Sequence, residues 1–422
     1  MFFGAWRPQN LLVVSEEARC REVNARAAAS PRGAGKTLVA IPDFTPRLLV
    51  PLTPAAALKR FAEVSVPALG PGFLGFAARW AWLHYLWAFA EPEGGKNLRL
   101  SADAERLAGR RKGLLTEQLG IALGLSVMER HLKHRRPGAR IVTVDADVAM
   151  AAGRAGGFNL SLLAKGGVRP DYFLLREASA GTLEIFALEC KGRSSRLGVK
   201  ELVTAARQLR GVSVAGSGSS APPPGVVVAS AFRSGEIETE AFDPEGDEAW
   251  AGPVAARGSE RPVAERRRSL DLVTDMAGFR RLLLDIDEAT VLAIGGRSPD
   301  EATRRSSPRE VGELGAFEGT SYRFRLSSSA EAEVFHGVEV GVLEAFSSRN
   351  DKRIRGAQSA WAERVAGGRE GRQDYGETDL STVDEERLEA YTVDERGLLL
   401  QMRVRRDGSY ARSLEAPFSR FS

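Results

Sequence analysis

Asp171, Glu189 and Lys191 are the residues whose types and spacing point to chemistry. Pro170-Asp171-Tyr172-Phe173-Leu174-Leu175 is a short apolar run opened by a proline, and a proline is tolerated where a strand begins. Ala178-Ser179-Ala180-Gly181 supplies a turn, and Thr182–Cys190 then alternates with the period of a strand. Both faces of that second strand are apolar beyond Glu184, as expected of a strand buried between layers. It nevertheless ends in Glu189-Cys190-Lys191, with Glu189 and Lys191 on one face. Charges at the end of a buried strand are costly without a partner. Asp171 and Glu189 together offer carboxylate oxygens suited to a hard divalent cation such as Mg²⁺. Lys191 then stands where an attacking water or a phosphate oxygen would lie. The bland alternative is a surface hairpin with an incidental Glu–Lys pair.

Other elements must hold these three in place. Ser101-Ala-Asp-Ala-Glu opens a helical stretch that continues through Lys112–His131. There Leu114, Glu117, Ile121, Gly124 and Met128 recur at spacings of three and four, which sets Glu117 in an apolar stripe. Ala139–Met150 is expected as a strand, Gly153–Gly167 as a Gly-rich connection, Leu197–Arg210 as a helix carrying Gln208, and Gly225–Ser230 as a buried strand. The order is helix, strand, strand, strand, helix, strand. Arg130–Arg136 ends the first helix with positive charge, explained either by the helix dipole or by contact with a DNA backbone.

With these residues in view, Pro170-Asp171 followed by Glu189-Cys190-Lys191 resembles the signature of the PD-(D/E)xK nuclease superfamily. The resemblance covers residues 96–245 and implies an α/β fold, a restriction-endonuclease-like αβββαβ core with a mixed sheet. It implies a metal-dependent nuclease that hydrolyses DNA phosphodiester bonds, in a setting of restriction or anti-phage defence. Mg²⁺ or Mn²⁺ would be held by Asp171, Glu189 and the Cys190 carbonyl. Glu117 matches the acidic residue that the first core helix brings to the metal, although a Glu reaching for the helix edge reads equally well. Gln208 matches a glutamine that lies near the metal or the DNA in some members. The expected partners are DNA and either a second copy of the chain or a defence-complex partner. A reading of another class is a non-catalytic DNA-binding or assembly subunit that keeps the fold.

The rest of the sequence sets bounds. The 422 residues allow two or three domains, and 43% hydrophobic with 27% charged residues describes a globular chain. A net charge of +4 supports nucleic-acid binding only weakly. Two distant cysteines, Cys20 and Cys190, argue against a disulfide framework or zinc site, and MFFGAWRPQN does not read as a signal peptide, so a cytoplasmic setting is expected. Pro31–Thr37 ends like a phosphate-binding loop but has Ser30 where the first glycine belongs, and prolines follow, so it reads as a turn. Phe73–Ala90 is strongly apolar, yet Arg79 and His84 interrupt it, which favours a buried helix over a membrane span. The expected division is an N-terminal mixed or helical region (1–95), the core (96–245), a polar linker with a helix (246–310) and a small α+β domain (311–422). In that last part Tyr322–Leu326 and Ala332–Val338 read as strands, Leu388–Val393, Leu398–Val404 and Tyr410–Leu414 as a meander, and Asp351–Thr378 as loop or exposed helix.

Overall fold

A computed structural model describes residues 4–29, 37–45, 47–65, 85–92, 97–136, 139–155, 158–162, 168–177, 183–215, 220–244, 308–327, 330–348, 350–367, 380–384 and 388–406. Outside them lie Pro31–Lys36, most of the apolar window including His84, the helix expected at 270–294 and the strand expected at 410–414. The chain begins with β1 (Gln9–Val14), α1 (Glu17–Ala28), β2 (Leu38–Ala40), β3 (Arg47–Leu52) and α2 (Pro54–Ser65). Next come α3 (Ala102–Arg106), α4 (Gly109–Arg135), β4 (Ile141–Asp145), α5 (Ala146–Ala152), β5 (Arg154–Ala155) and β6 (Phe158–Leu162). Then follow β7 (Tyr172–Glu177), β8 (Leu183–Arg193), α6 (Val199–Gln208), β9 (Val212–Ala215), β10 (Ser220–Ala221), β11 (Gly225–Arg233) and β12 (Glu236–Pro244). The C-terminal part holds β13 (Arg309–Glu310), β14 (Ala316–Ser327), β15 (Ala330–Glu339), α7 (Val340–Ser347), α8 (Asp351–Gly367), β16 (Leu380–Asp384), β17 (Glu389–Val393) and β18 (Leu398–Arg406).

The protein is α/β, and its main sheet is mixed. Strand order is β3-β1-β12-β11-β8-β7-β4, with β2 also paired to β12. β8 runs parallel to β11 and β12 parallel to β1, while the other neighbours are antiparallel. Helices cover both faces, so the central strands are apolar on both sides. Phe186, Leu188 and Cys190 of β8 pack with Leu119 and Leu123 of α4 and Leu58 of α2. Ile185 and Ala187 pack on the other face with Val23 of α1, Ala146 of α5 and Leu202 of α6.

The N-terminal region is not a separate unit. β1, β2 and β3 extend the same sheet through β12, across the boundary expected at residue 95. Pro51 lies in β3, an edge strand, where its missing N–H leaves no ladder bond unmade. Ala139–Met150 is not one strand: β4 ends at Asp145, whose side chain caps α5 by accepting from Asp147 N (2.8 Å) and Val148 N (3.1 Å). The alanines after it then favour helix. The connection expected from Gly153 holds the hairpin β5–β6, part of a four-stranded sheet β10-β9-β6-β5.

The C-terminal part is a six-stranded sheet, β13-β14-β15-β18-β17-β16, backed by α7 and α8, an α+β arrangement. Its other face sends Val334, Ala390, Leu400 and Met402 into the core shared with α2 and α4. Among the described residues no helix is long and apolar enough to cross a membrane.

Candidate active site

Strand pairing brings the sequence-predicted pair together. Tyr172 of β7 lies opposite Leu188 of β8, so Asp171 falls across from Glu189, one step further along. Asp171 N donates to Leu188 O (3.1 Å), and Cys190 N donates to Asp171 Oδ2 (2.8 Å). The carbonyl of Asp171 accepts from Ala146 N at the start of α5 (3.0 Å), so Asp171 is fixed at both ends. Lys191, two residues along β8 from Glu189, forms an ion pair with it and stands 3.7 Å from Asp171 Oδ2.

The three groups differ in solvation. Glu189 is fully buried, whereas Asp171 and Lys191 are each 30% exposed. Among the described residues the ion partner of Glu189 is Lys191, and the backbone N–H of Asp171 also favours its charged form. Burial and the charge of Asp171 push the Glu189 carboxyl up to about 8, against the pull of Lys191. Burial also raises Asp171, and the negative charge of Glu117 adds to it, while Lys191 and the Cys190 N–H oppose. Burial pulls Lys191 down, but Glu189 and Asp171 outweigh it and hold the ammonium above its ordinary value. The site is thus an ammonium beside a buried carboxyl raised to about 8 and a second, partly exposed carboxyl that burial also raises.

That imbalance has a measurable consequence for the metal-free protein. The unfolded chain releases the Glu189 proton near pH 4.5, whereas the fold keeps it up to about 8. Stability from this group is therefore complete below about pH 4.5 and is lost as pH rises through about 8. Glu189→Gln carries no such proton. In EDTA its melting temperature is expected to match the parent near pH 5 and to exceed it at pH 8.5. Parallel melting curves across that range check this; the same pH dependence in both proteins would refute it.

The fit to a cation is read from the donor set. Asp171 and Glu189 present oxygen donors, the chemistry that suits Mg²⁺ or Mn²⁺. A buried carboxylate whose ion partner among the described residues is a single ammonium keeps lone pairs that a cation would satisfy. The Cys190 thiol is not part of this set. It points to the other face, where a side chain at Gly124 would stand 2.7 Å from its sulfur, and burial holds it protonated, well above the ordinary thiol value.

Glu117 is placed differently from the sequence expectation. The buried stripe of α4 runs through Leu115, Leu119, Leu123 and Val127, flanked by Thr116, Gly120, Gly124 and Met128. Leu114 and Glu117 are exposed, because the chosen stripe lay one position off the packed face. The charge of Glu117 still acts on Asp171, but the described residues contain no group of three or more His, Cys, Asp or Glu arranged to hold a metal. Gln208 donates from Nε2 to Arg169 O (3.2 Å) and so meets the segment entering Asp171, two residues upstream.

Two features went unnoticed in the sequence. Gly192 and Gly120 let α4 lie directly on the end of β8, where a Cβ at Gly192 would run into the Thr116 carbonyl. Gly192, next to the charged pair, was the available signal. Second, Arg196, in the loop after Lys191, is bound to Glu240 Oε1 (Nε 2.9 Å, Nη2 2.5 Å) and Glu16 Oε2 (3.0 Å). Glu240 is buried in β12, two strands across from Lys191 through Ala229. The alternation Glu236, Glu238, Glu240 against Ile237, Thr239, Ala241 marks that strand in the sequence.

The basic run at the end of α4 is spent inside the protein. Arg130 and His131 are buried, and Lys133 pairs with Glu395 (2.7 Å). Arg135 reaches Asp43 (3.5 Å) and Arg136 reaches Glu184 (4.0 Å). It also lies ten to sixteen residues beyond Gly120, about 15–24 Å from the site end.

The chain matches no protein-family model, and comparisons with curated proteins and with solved structures give no match.

Proposed function

We propose that the chain is a metal-dependent nuclease that hydrolyses DNA phosphodiester bonds, with a restriction-endonuclease-like core of the PD-(D/E)xK kind spanning α4, β4, β7, β8, α6 and β11. The observation that carries the reading is Asp171 set opposite a buried Glu189 with Lys191 in contact with both. Asp171 and Glu189 are the residues that would hold Mg²⁺ or Mn²⁺. When bound, the ion would polarise a phosphoryl oxygen and acidify a water. Lys191, beside both carboxylates, would orient the attacking water or help deprotonate it, and its charge would stabilise the added negative charge at phosphorus. The water oxygen bonds to phosphorus as one ester P–O bond breaks. The water proton is lost to solvent, and the leaving oxygen gains one. Asp171 stays oriented through the Cys190 N–H, and Gln208 steadies the chain that enters it.

The test is incubation of the purified chain with supercoiled, linear duplex and single-stranded DNA in Mg²⁺ or Mn²⁺, alongside calorimetric titration of Mn²⁺. Cleavage that EDTA abolishes, with saturable binding of the ion, is the expected result. A second reading, a DNA-binding or assembly subunit without turnover, draws on Glu117 standing outside any three-donor group among the described residues. Neither cleavage nor Mn²⁺ binding would favour that reading.

A further inference from the structure

The two ends of α4 treat positive charge in opposite ways. At its C-terminus the cations are buried or paired with Asp43, Glu184 and Glu395. At its N-terminus Arg110 and Arg111 are exposed and have no ion pair or hydrogen bond from their side chains among the described residues. Their neighbours are engaged: Lys112 donates to Glu105 O (3.0 Å) and Arg106 pairs with Asp103. No acidic residue lies in the first turn. Cations there oppose the helix dipole, so Arg110 and Arg111 work against the helix that carries them.

Their position links them to the candidate site. Thr116 and Gly120, less than three turns further on, are the residues of α4 that touch Gly192, next to Lys191. Arg110, Leu114 and Glu117 fall at i, i+4 and i+7, one face of the helix. Leu114 on that face is 52% exposed. From Arg110 to Glu117 the rise is about 10 Å, or about three nucleotides of one DNA strand.

We propose that Arg110 and Arg111 form a DNA-backbone contact that holds the strand flanking the bond hydrolysed at Asp171, Glu189 and Lys191. The proposal rests on the nuclease reading above. It makes the site end of α4 the substrate-facing end, in place of the basic run at Arg130–Arg136.

The test is fluorescence anisotropy with a labelled DNA duplex across a salt series in Mg²⁺, in the full chain carrying Lys191→Ala to prevent cleavage. Adding Arg110→Ala and Arg111→Ala is expected to weaken binding and to reduce the slope of log K against log salt by about 2, roughly 0.9 per lost phosphate contact. The control pair Lys352→Ala and Arg353→Ala, exposed on α8, is expected to leave the slope unchanged. Arg110→Glu with Arg111→Glu is expected to raise the melting temperature, by complementing the helix dipole, while binding falls further. An unchanged slope and affinity in the double Ala variant, with DNA still bound by the Lys191→Ala chain, overturns this proposal alone. A lower melting temperature in the Glu pair overturns it too, since the arginines would then serve the helix. No DNA binding by the Lys191→Ala chain overturns both this proposal and the nuclease reading.

Discussion

Asp171→Asn and Lys191→Ala are each expected to lower metal-dependent DNA cleavage by at least about a hundred- to a thousandfold, the usual effect of removing one preorganised electrostatic contact to a developing charge. The two act differently. Asn at position 171 keeps an oxygen to accept from the Cys190 N–H but removes the charge that would hold a cation. It also removes a negative charge that raises Glu189, so its melting temperature is expected to equal or exceed that of the parent. Lys191→Ala takes away the ion partner of a buried carboxylate, which ordinarily costs 3–5 kcal/mol. Here Glu189 already retains its proton up to about pH 8, so at pH 7 the loss is met by a neutral carboxyl and the fold is largely spared. Cleavage rates and melting curves measured side by side at pH 7 check both. Parent-like cleavage in either variant would remove that residue from the reaction. Loss of activity with a collapsed melting temperature would reassign it to folding.

The three candidate residues stand out in the sequence because they break a local rule. Charge at the end of a strand apolar on both faces stands out in a linear sequence, and the pairing of β7 with β8 fixes Asp171 opposite Glu189 once the hairpin is read. Alternation marks β8, a run of valines marks β11, and side chains sharing one helical sector mark α6. What stayed hidden depends on contacts far apart in the chain. β1, β2 and β3 join the rest of the main sheet through β12, and nothing local announces that partner. The face of α4 was misjudged because Leu114 is apolar but exposed, while Thr116, Gly120 and Gly124 are poor markers of burial yet lie against β8 and β11. Asp145 shows the same competition at short range: a β-rich run is cut by a side chain that caps a helix better than it continues a strand. For Arg130–Arg136 the deciding information sat on Asp43, Glu184 and Glu395, remote in sequence and invisible to a reading of one segment.

Asp394→Ala is expected to cost about 3–5 kcal/mol of stability, the usual result of breaking a buried ion pair on one side. Asp394 lies in the turn between β17 and β18, where its Oδ1 accepts from Arg396 N (2.8 Å) and Leu398 N (3.0 Å). Its Oδ2 accepts from Lys59 Nζ (2.6 Å) and Arg396 Nη2 (2.8 Å). Lys59 is buried in α2, one turn from Glu63, which Arg396 also reaches. Arg60 carries the network on to Glu129 of α4 (2.8 Å), and Glu129 accepts from Thr143 of β4. One turn of the C-terminal sheet is thereby fastened to the helix whose other end borders the candidate site. Burial alone would raise the Asp394 carboxyl, but Arg396 and Lys59 hold it well below the ordinary carboxylate range. A depressed carboxylate stabilises the fold above its unfolded value, near pH 4, and loses that contribution as pH falls through its folded value. The advantage of the parent over Asp394→Asn should therefore be complete above about pH 4 and shrink below it. Urea unfolding at pH 7 and pH 3 measures both effects, and an Asp394→Ala cost under about 0.5 kcal/mol would show the network to be incidental. Adding Lys59→Met to Asp394→Ala should recover part of the loss, because it removes a buried ammonium that has been deprived of its shortest ion pair. With Lys59 gone, α4 keeps its packing on β8 and its own links to Arg60, Asp43, Glu184 and Glu395. That is enough to keep its C-terminal half on the sheet, so cleavage by the double variant is expected to survive a change that the site variants do not.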